Sequence, residues 1–138
     1  MLKEVRILNP RLLAALAGAG HTDLIVIADS GLPVPPGPEL IDLSLVPGTP
    51  AFLEVLEAVT ASLGFESALV AVDTRGQQIS GPLRDRLGDV PVEEVPHDEF
   101  KRRVAGARTV IRTGECTPYA NVGLVAGVTF FPPPKPGG

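Results

Sequence analysis

His21 and His97 are the only two histidines in this chain of 138 residues. His21 lies between an expected helix end and an aliphatic stretch, and His97 lies between an expected strand and an expected helix start. Imidazole donates and accepts protons near neutral pH without strong tuning, so either residue could act as a general acid or base. The simpler interpretation is that each is a solvated or capping residue of a loop.

Asp29 directly follows an aliphatic run that begins at Leu24 and that is typical of a buried strand. A carboxylate at the carboxyl end of a buried strand can accept hydrogen bonds from the hydroxyl groups of a polyol, or it can orient a histidine. The alternative is structural, because an aspartate at this position often braces the next turn by accepting a bond from its backbone. The sequence pattern leaves both roles open.

Residues 113–121 form an expected loop that holds the only tyrosine and the only cysteine of the chain. Tyr119 and Asn121 offer hydrogen-bonding groups that could grip a polyol, although the same groups could serve only to satisfy a buried turn. Cys116 is interpreted as an inert small residue. Arg112 and Glu115 are interpreted as a structural ion pair.

Composition excludes several classes of protein. The formal net charge is −4, which disfavours nucleic acid as a partner. The apolar stretches are too short to cross a bilayer, and the polar amino-terminal residues are unlike a signal peptide, so we expect a cytoplasmic protein. One cysteine and two histidines predict neither a disulfide framework nor a structural zinc site.

Cofactor motifs are likewise not found in the sequence. The glycines around residues 18–20 close an expected helix instead of following a strand, so they do not form a dinucleotide-binding turn. Neither a Walker loop nor a nucleophile elbow occurs. We therefore expect no cofactor and no metal. The mean hydropathy of +0.24 remains high for a small soluble monomer.

Helix starts are predicted where a capping residue precedes proline, at Asn9-Pro10 and Thr49-Pro50. Asp98 is expected to cap a further helix over 99–107, and a short helix is predicted over 82–87. The first helix should end through a left-handed glycine, Gly18 or Gly20, and the second should stop at Gly64.

Strands are predicted from aliphatic or alternating stretches, which recur between the expected helices. They lie at 24–29, 40–45, 68–73, 92–95, 109–111 and 122–130. This alternation favours an α/β protein with a three-layer sandwich around a mixed, largely parallel sheet. We expect one domain over 1–131 and a proline-rich, disordered tail over 132–138.

Four segments together resemble the RbsD branch of the RbsD/FucU family of sugar mutarotases. The most specific wording is Gly-His-Thr-Asp at 20–23, Ala-Asp-Ser-Gly-Leu-Pro at 28–33, and Arg-Thr-Gly-Glu-Cys-Thr-Pro-Tyr-Ala-Asn at 112–121. The resembling segments are 7–35, 41–59, 95–101 and 110–130.

The resemblance implies an α/β/α fold and cofactor-independent interconversion of the β-pyranose and β-furanose forms of free D-ribose. It also implies a cytoplasmic homo-pentamer or homo-decamer with sites at subunit contacts. The matching positions are His21 as the catalytic proton donor and, for substrate binding, Asp29, His97, Tyr119, Ala120 and Asn121.

Residues 71–89 depart from the resemblance. Ribose pyranases usually end the strand with Ala-Glu-Glu and continue with a longer polar segment, whereas this chain has Ala-Val-Asp, with Asp73 in place of one acid. Two alternatives therefore stay open. One is a mutarotase for another sugar, with L-fucose-like anomer exchange, and the other is a sugar-binding protein without catalysis.

Overall fold

A computed structural model describes residues 7–128. The predicted tail over 132–138 and the predicted strand end at 129–130 lie outside these residues. Across the described part of the chain, none of the helices combines the length and the apolar character that crossing a bilayer requires.

Within residues 7–128, the structure has four α-helices and six strands, the set that the sequence predicted. The helices are α1 (Pro10–Gly18), α2 (Phe52–Ser62), α3 (Ser80–Leu87) and α4 (His97–Val104). The strands are β1 (Leu24–Ala28), β2 (Glu39–Asp42), β3 (Phe65–Ala71), β4 (Val92–Val95), β5 (Thr109–Arg112) and β6 (Val122–Ala126).

The six strands form one sheet in the order β2-β5-β1-β6-β3-β4. β2, β5 and β1 run parallel to one another, and so do β3 and β4. β6 lies between β1 and β3 and is antiparallel to both. The sheet is therefore mixed and largely parallel, which confirms the prediction, and β6 alone joins its two parallel parts.

The pleat of β1 explains the three layers. Ile25 and Ile27 point to the face covered by α1, α2 and α3, while Val26 and Ala28 point to the face covered by α4. All four side chains are fully buried. Successive residues of a strand face opposite sides, so a continuous aliphatic run is what a strand between two helical layers requires.

Helix ends agree with the sequence only in part. The Asn9 side chain accepts a bond of 3.0 Å from the Leu12 N–H, so the predicted cap of α1 is confirmed. The predicted cap at Thr49 is wrong, because α2 begins at Phe52 and its N-cap is Ala51. The Ala51 N–H donates to the side chain of Glu54. The Asp98 cap is also wrong, since Asp98 lies in the first turn of α4.

The predicted left-handed end of α1 is wrong as well. Gly18 is the last helical residue, and the next residue, Ala19, has extended backbone. Neither Gly18 nor Gly20 has a positive φ. The left-handed residue of this turn is instead Thr22, with φ of 73°.

Candidate functional site

A cavity of about 410 Å³ lies where β1 and β5 end and α4 begins. This is the edge at which parallel strands present their carboxyl ends, and the volume is in the range of small-molecule sites, roughly 300–1,000 Å³. Its polar lining includes Asp29, Ser30, His97, Lys101, Glu115, Thr117 and Tyr119.

Asp29 is held in place by Asn121. The Asn121 amide group donates to the Asp29 carboxylate at 2.9 Å, and its oxygen accepts from the Asp29 backbone N–H at 2.8 Å. The other carboxylate oxygen accepts from the Gly31 N–H at 2.9 Å, so the predicted bracing of the turn also occurs. Asn121 is only 3% exposed and Ala120 is fully buried. Both therefore support the cavity wall from behind.

His97 and Tyr119 stand side by side in the cavity. Their ring centres are 5.1 Å apart and the rings are nearly perpendicular, at 87°. His97 is the first residue of α4, not a loop residue as predicted. Its Nδ1 is buried without a hydrogen-bond partner among the described residues, which leaves Nε2 as the nitrogen open to a ligand. Tyr119 has φ of 65°, a backbone conformation that is costly for any residue except glycine. Such conformations are frequent at functional sites.

Arg112 and Glu115 do not pair with each other, so that expectation is wrong. Arg112 lies beside Asp42 on the neighbouring parallel strand, and their side chains are 3.0 Å apart. Hydrogen bonds from Ser44, followed by the Arg112 guanidinium, hold the pKa of Asp42 below its usual value. The pair ties the end of β5 to β2.

Glu115 instead joins the cavity loop to the start of α2. One carboxylate oxygen accepts from the Phe52 N–H at 3.1 Å, and the other accepts from the Thr117 hydroxyl at 2.8 Å. Burial would raise the pKa of Glu115, but these bonds outweigh it and hold the pKa below the ordinary value of 4.5. The charged carboxylate also suits the positive amino-terminal end of a helix.

Replacing Glu115 with glutamine should therefore lower the free energy of unfolding by about 1–2 kcal/mol at neutral pH. Because the folded pKa is depressed, the carboxylate stabilises fully above pH 4.5 and loses this effect as pH falls through the folded pKa. Urea denaturation should show the difference between wild type and Glu115→Gln shrinking in acid. A difference that stays constant across this range would contradict the assignment.

His21 lies away from the cavity. It precedes β1, whereas Asp29 follows it, and β1 has five residues. At roughly 3.3 Å per residue, β1 is about 16 Å long, so His21 and Asp29 lie at opposite ends of the strand. The structure thus brings Asp29, His97 and Tyr119 together within one chain, and it places His21 at the opposite edge.

Two charged residues near these groups were not predicted from the sequence. Lys101 is one helical turn after His97 on α4 and lines the cavity. Its spacing of four residues from His97 was a usable signal. Glu66 on β3 lies 3.0 Å from Nε2 of His21, and no local pattern links these two residues because 45 positions separate them.

Nothing in the described ranges resembles a metal site. Among residues 7–128, no three histidine, cysteine, aspartate or glutamate side chains lie close enough together to bind a metal ion. The cavity groups are instead hydrogen-bond donors and acceptors, which suit a ligand with several hydroxyl groups.

The sequence pattern of the RbsD / FucU transport protein family matches residues 2–129, so the chain belongs to this family. Its relatives include D-ribose pyranases. One from Symbiobacterium thermophilum is 51% identical over 131 residues, which cover 94% of this chain and all of that protein. Another, from Paracidovorax citrulli, is 50% identical over 131 residues, which also cover 94% of this chain and all of that protein.

Solved structures share the fold. Bacillus subtilis RbsD, complexed with D-ribose, superposes with a TM-score of 0.89 at 45% identity and covers 94% of this chain and 100% of its own. A fucose mutarotase from Streptococcus pneumoniae, in complex with L-fucose, has a TM-score of 0.80 at 26% identity over the same shares. The chain is therefore more similar in sequence to the ribose-bound structure than to the fucose-bound one.

Proposed function

We propose that this chain is a D-ribose pyranase, an isomerase that interconverts the β-pyranose and β-furanose forms of free D-ribose. The observation that carries the proposal is the 45% identity to a ribose-bound structure, at a TM-score of 0.89. The cavity fits this substrate because a fixed carboxylate, an imidazole and a phenol converge there on a space of suitable size.

The reaction requires two proton movements and no redox change. A proton is added to the ring oxygen while the anomeric hydroxyl loses one, so the ring C–O bond breaks and an open-chain aldehyde forms. The aldehyde then rotates, and a different hydroxyl attacks it to close the other ring. A single imidazole can donate one of these protons and accept the other, in both directions of the reaction, and we assign His21 to this role.

The cavity residues are assigned to substrate binding. Asp29 accepts hydrogen bonds from sugar hydroxyls, and His97 donates or accepts one through Nε2. Tyr119 grips the ring through its hydroxyl and its apolar face. Asn121 holds the Asp29 carboxylate in place through a hydrogen bond of 2.9 Å, and Ala120 is buried next to it.

A complete site then needs two copies of the chain. The proposed acid–base group and the proposed sugar-binding groups lie about 16 Å apart at opposite edges of one sheet. We propose that His21 of one subunit faces the cavity of another within a homo-pentamer or homo-decamer. The high mean hydropathy of +0.24 supports this assembly, because subunit contacts cover apolar surface.

Two organisational points belong to the same proposal. Residues 1–131 are proposed as one mutarotase domain, supported by the family match over 2–129. A cytoplasmic location is proposed because a lone cysteine suits a reducing compartment.

Exchange NMR on D-ribose, with and without the protein, tests the proposed activity. We expect faster exchange between the pyranose and furanose signals when the protein is present. Faster exchange of L-fucose anomers without an effect on ribose would instead favour the fucose mutarotase activity. Ribose binding without faster exchange would favour a sugar-binding protein. Either result would contradict the proposal.

A further inference from the structure

We propose that Glu66 is a positioning residue for His21, and that it directs Nδ1 of His21, rather than Nε2, toward the sugar. This inference rests on the proposed acid–base role of His21. The supporting observation is the contact between the side chains of His21 and Glu66. It lies at the end of the strands opposite to the cavity, and neither residue is assigned to sugar binding.

The contact itself determines which ring nitrogen is free. Nε2 of His21 is 3.0 Å from Oε2 of Glu66. A glutamate carboxylate at neutral pH only accepts hydrogen bonds, so Nε2 must be the donor. In the neutral ring the single proton is then on Nε2, and Nδ1 carries the lone pair. In the imidazolium state Nδ1–H is the acid, so the same nitrogen takes and returns the proton.

The backbone of β3 is shaped to place Glu66 there. Phe65 pairs with Ala126 and Ser67 pairs with Val125, so Glu66 is an extra residue in this strand, a β-bulge. Bulges redirect side chains and are frequent beside active sites. The regular pleat of β3 would otherwise continue through this position with the ordinary alternation of faces.

A glycine gives Glu66 room to approach. A Cβ on Gly127 would lie 3.2 Å from both the Cβ and the backbone nitrogen of Glu66, closer than most side chains tolerate. The Gly127 N–H also donates to the Gly64 carbonyl at 2.9 Å, which holds the two segments together. The position of the carboxylate therefore follows from backbone packing and not only from the contact with the imidazole.

The turn that carries His21 is fixed from the other side. Asp23 accepts from the Gly20 N–H through its side chain at 2.8 Å, and its own N–H donates to the Gly20 carbonyl at 3.0 Å. Thr22, in left-handed conformation, donates its N–H to the Ala126 carbonyl at 2.9 Å. Both partners are thus anchored to the end of β6, which fixes their relative position.

This pair contributes little to stability. The side chains of His21 and Glu66 are 53% and 45% exposed, and exposed pairs typically stabilise proteins by less than about 1 kcal/mol. A substitution of Glu66 should therefore leave the melting temperature almost unchanged. An effect on turnover would then report on the orientation of the imidazole.

Steady-state exchange rates over a range of ribose concentrations provide the first test. Glu66→Ala should lower kcat about 10-fold and leave KM unchanged, because the sugar-binding residues are untouched. Glu66→Asp, which keeps the acceptor, should recover part of the loss. The matched control is Glu57→Gln, since Glu57 pairs with Arg86 at similar exposure on α2 and should keep wild-type kinetics. A kcat within twofold of wild type in Glu66→Ala would overturn the proposal.

Imidazole NMR on protein labelled with ¹⁵N-histidine provides the second test, and the chain has only two histidines to assign. Neutral His21 should carry its proton on Nε2, which the ¹⁵N chemical shifts of the two ring nitrogens report. In Glu66→Ala this preference for Nε2–H should weaken, and the two nitrogen shifts should move toward each other. A wild-type proton on Nδ1, or an Nε2–H signal that Glu66→Ala leaves unchanged, would overturn the assignment.

The two tests separate this inference from the proposed function. If His21→Ala leaves ribose exchange unchanged, the acid–base role of His21 fails, and the Nε2–H signal still reports on the contact with Glu66. If His21→Ala abolishes exchange while Glu66→Ala matches the wild type, only the positioning role of Glu66 fails.

Discussion

His21→Ala should lower the catalysed exchange of ribose ring forms by about 10²–10⁴-fold, the usual contribution of a positioned acid or base. No imidazole would then be available to protonate the ring oxygen and to accept the anomeric proton. Ribose should still bind, since Asp29, His97 and Tyr119 line the cavity at the other edge of the sheet. Exchange NMR measures the rate, and calorimetric titration with ribose measures the binding.

Mixing two inactive variants tests whether one site takes residues from two subunits. Asp29→Asn should also be inactive, because it removes the carboxylate that is assigned to the sugar hydroxyls. When His21→Ala and Asp29→Asn chains are dissociated, mixed in equal amounts and reassembled, about a quarter of the sites should combine an intact His21 with an intact cavity. Recovery of about a quarter of the wild-type rate is expected. A mixture as inactive as its components would contradict a site shared between subunits.

Gly114→Ala should be the most destabilising single substitution that we consider. A Cβ at this position would lie 2.5 Å from the carbonyl carbon of Thr49 and 2.7 Å from its nitrogen, and closer still to its oxygen. Gly114 also bonds this segment in both directions, to the Gly48 N–H at 2.6 Å and to the Pro50 carbonyl at 2.8 Å. The clash is with backbone and cannot be relieved by a rotamer change. We expect a loss of about 3 kcal/mol and a fall of about 10 °C in Tm.

Gly81→Ala is the matched control for this substitution. Gly81 lies in the first turn of α3, and a Cβ there would meet no atom within 4 Å outside the two neighbouring residues. Alanine favours helix over glycine by roughly 0.5–1 kcal/mol, but the following Pro82 disfavours helical backbone in a residue with a Cβ, so these effects oppose each other and the variant should melt within a few degrees of the wild type. Equal melting temperatures for Gly114→Ala and wild type, measured by thermal unfolding, would show that the loop can move aside.

Strands that are buried on both faces could be predicted from the sequence alone. The aliphatic run that starts at Leu24 needs only local information, because both helical layers select the same residue types. The direction of β6 could not be predicted, since its residues would read the same in a parallel strand. The predicted start of α2 failed because other side chains bond its first N–H groups: Glu54 bonds the Ala51 N–H, and the distant Glu115 bonds the Phe52 N–H.

The candidate site was predictable as residue types but not as an arrangement. Asp29 and Tyr119 are separated by 90 positions, and only the pairing of β1 with β5 and β6 brings their ends together. The separation of His21 from Asp29 could be anticipated in principle, because a strand lies between them. The contact of His21 with Glu66 could not, since it depends on a β-bulge that leaves no local sequence signal.

The central position of β6 has a consequence for how this protein is made. Every other strand and helix of residues 7–128 is synthesised before β6, yet the sheet order places β6 between β1 and β3. Until it emerges from the ribosome, β1 and β3 each present an unpaired edge of buried aliphatic residues, the kind of surface that promotes aggregation. Because β1 also lacks its other neighbour until β5 is made, the half of the sheet that contains β1 cannot form before residue 112, and the late strand β6 then joins it to the other half.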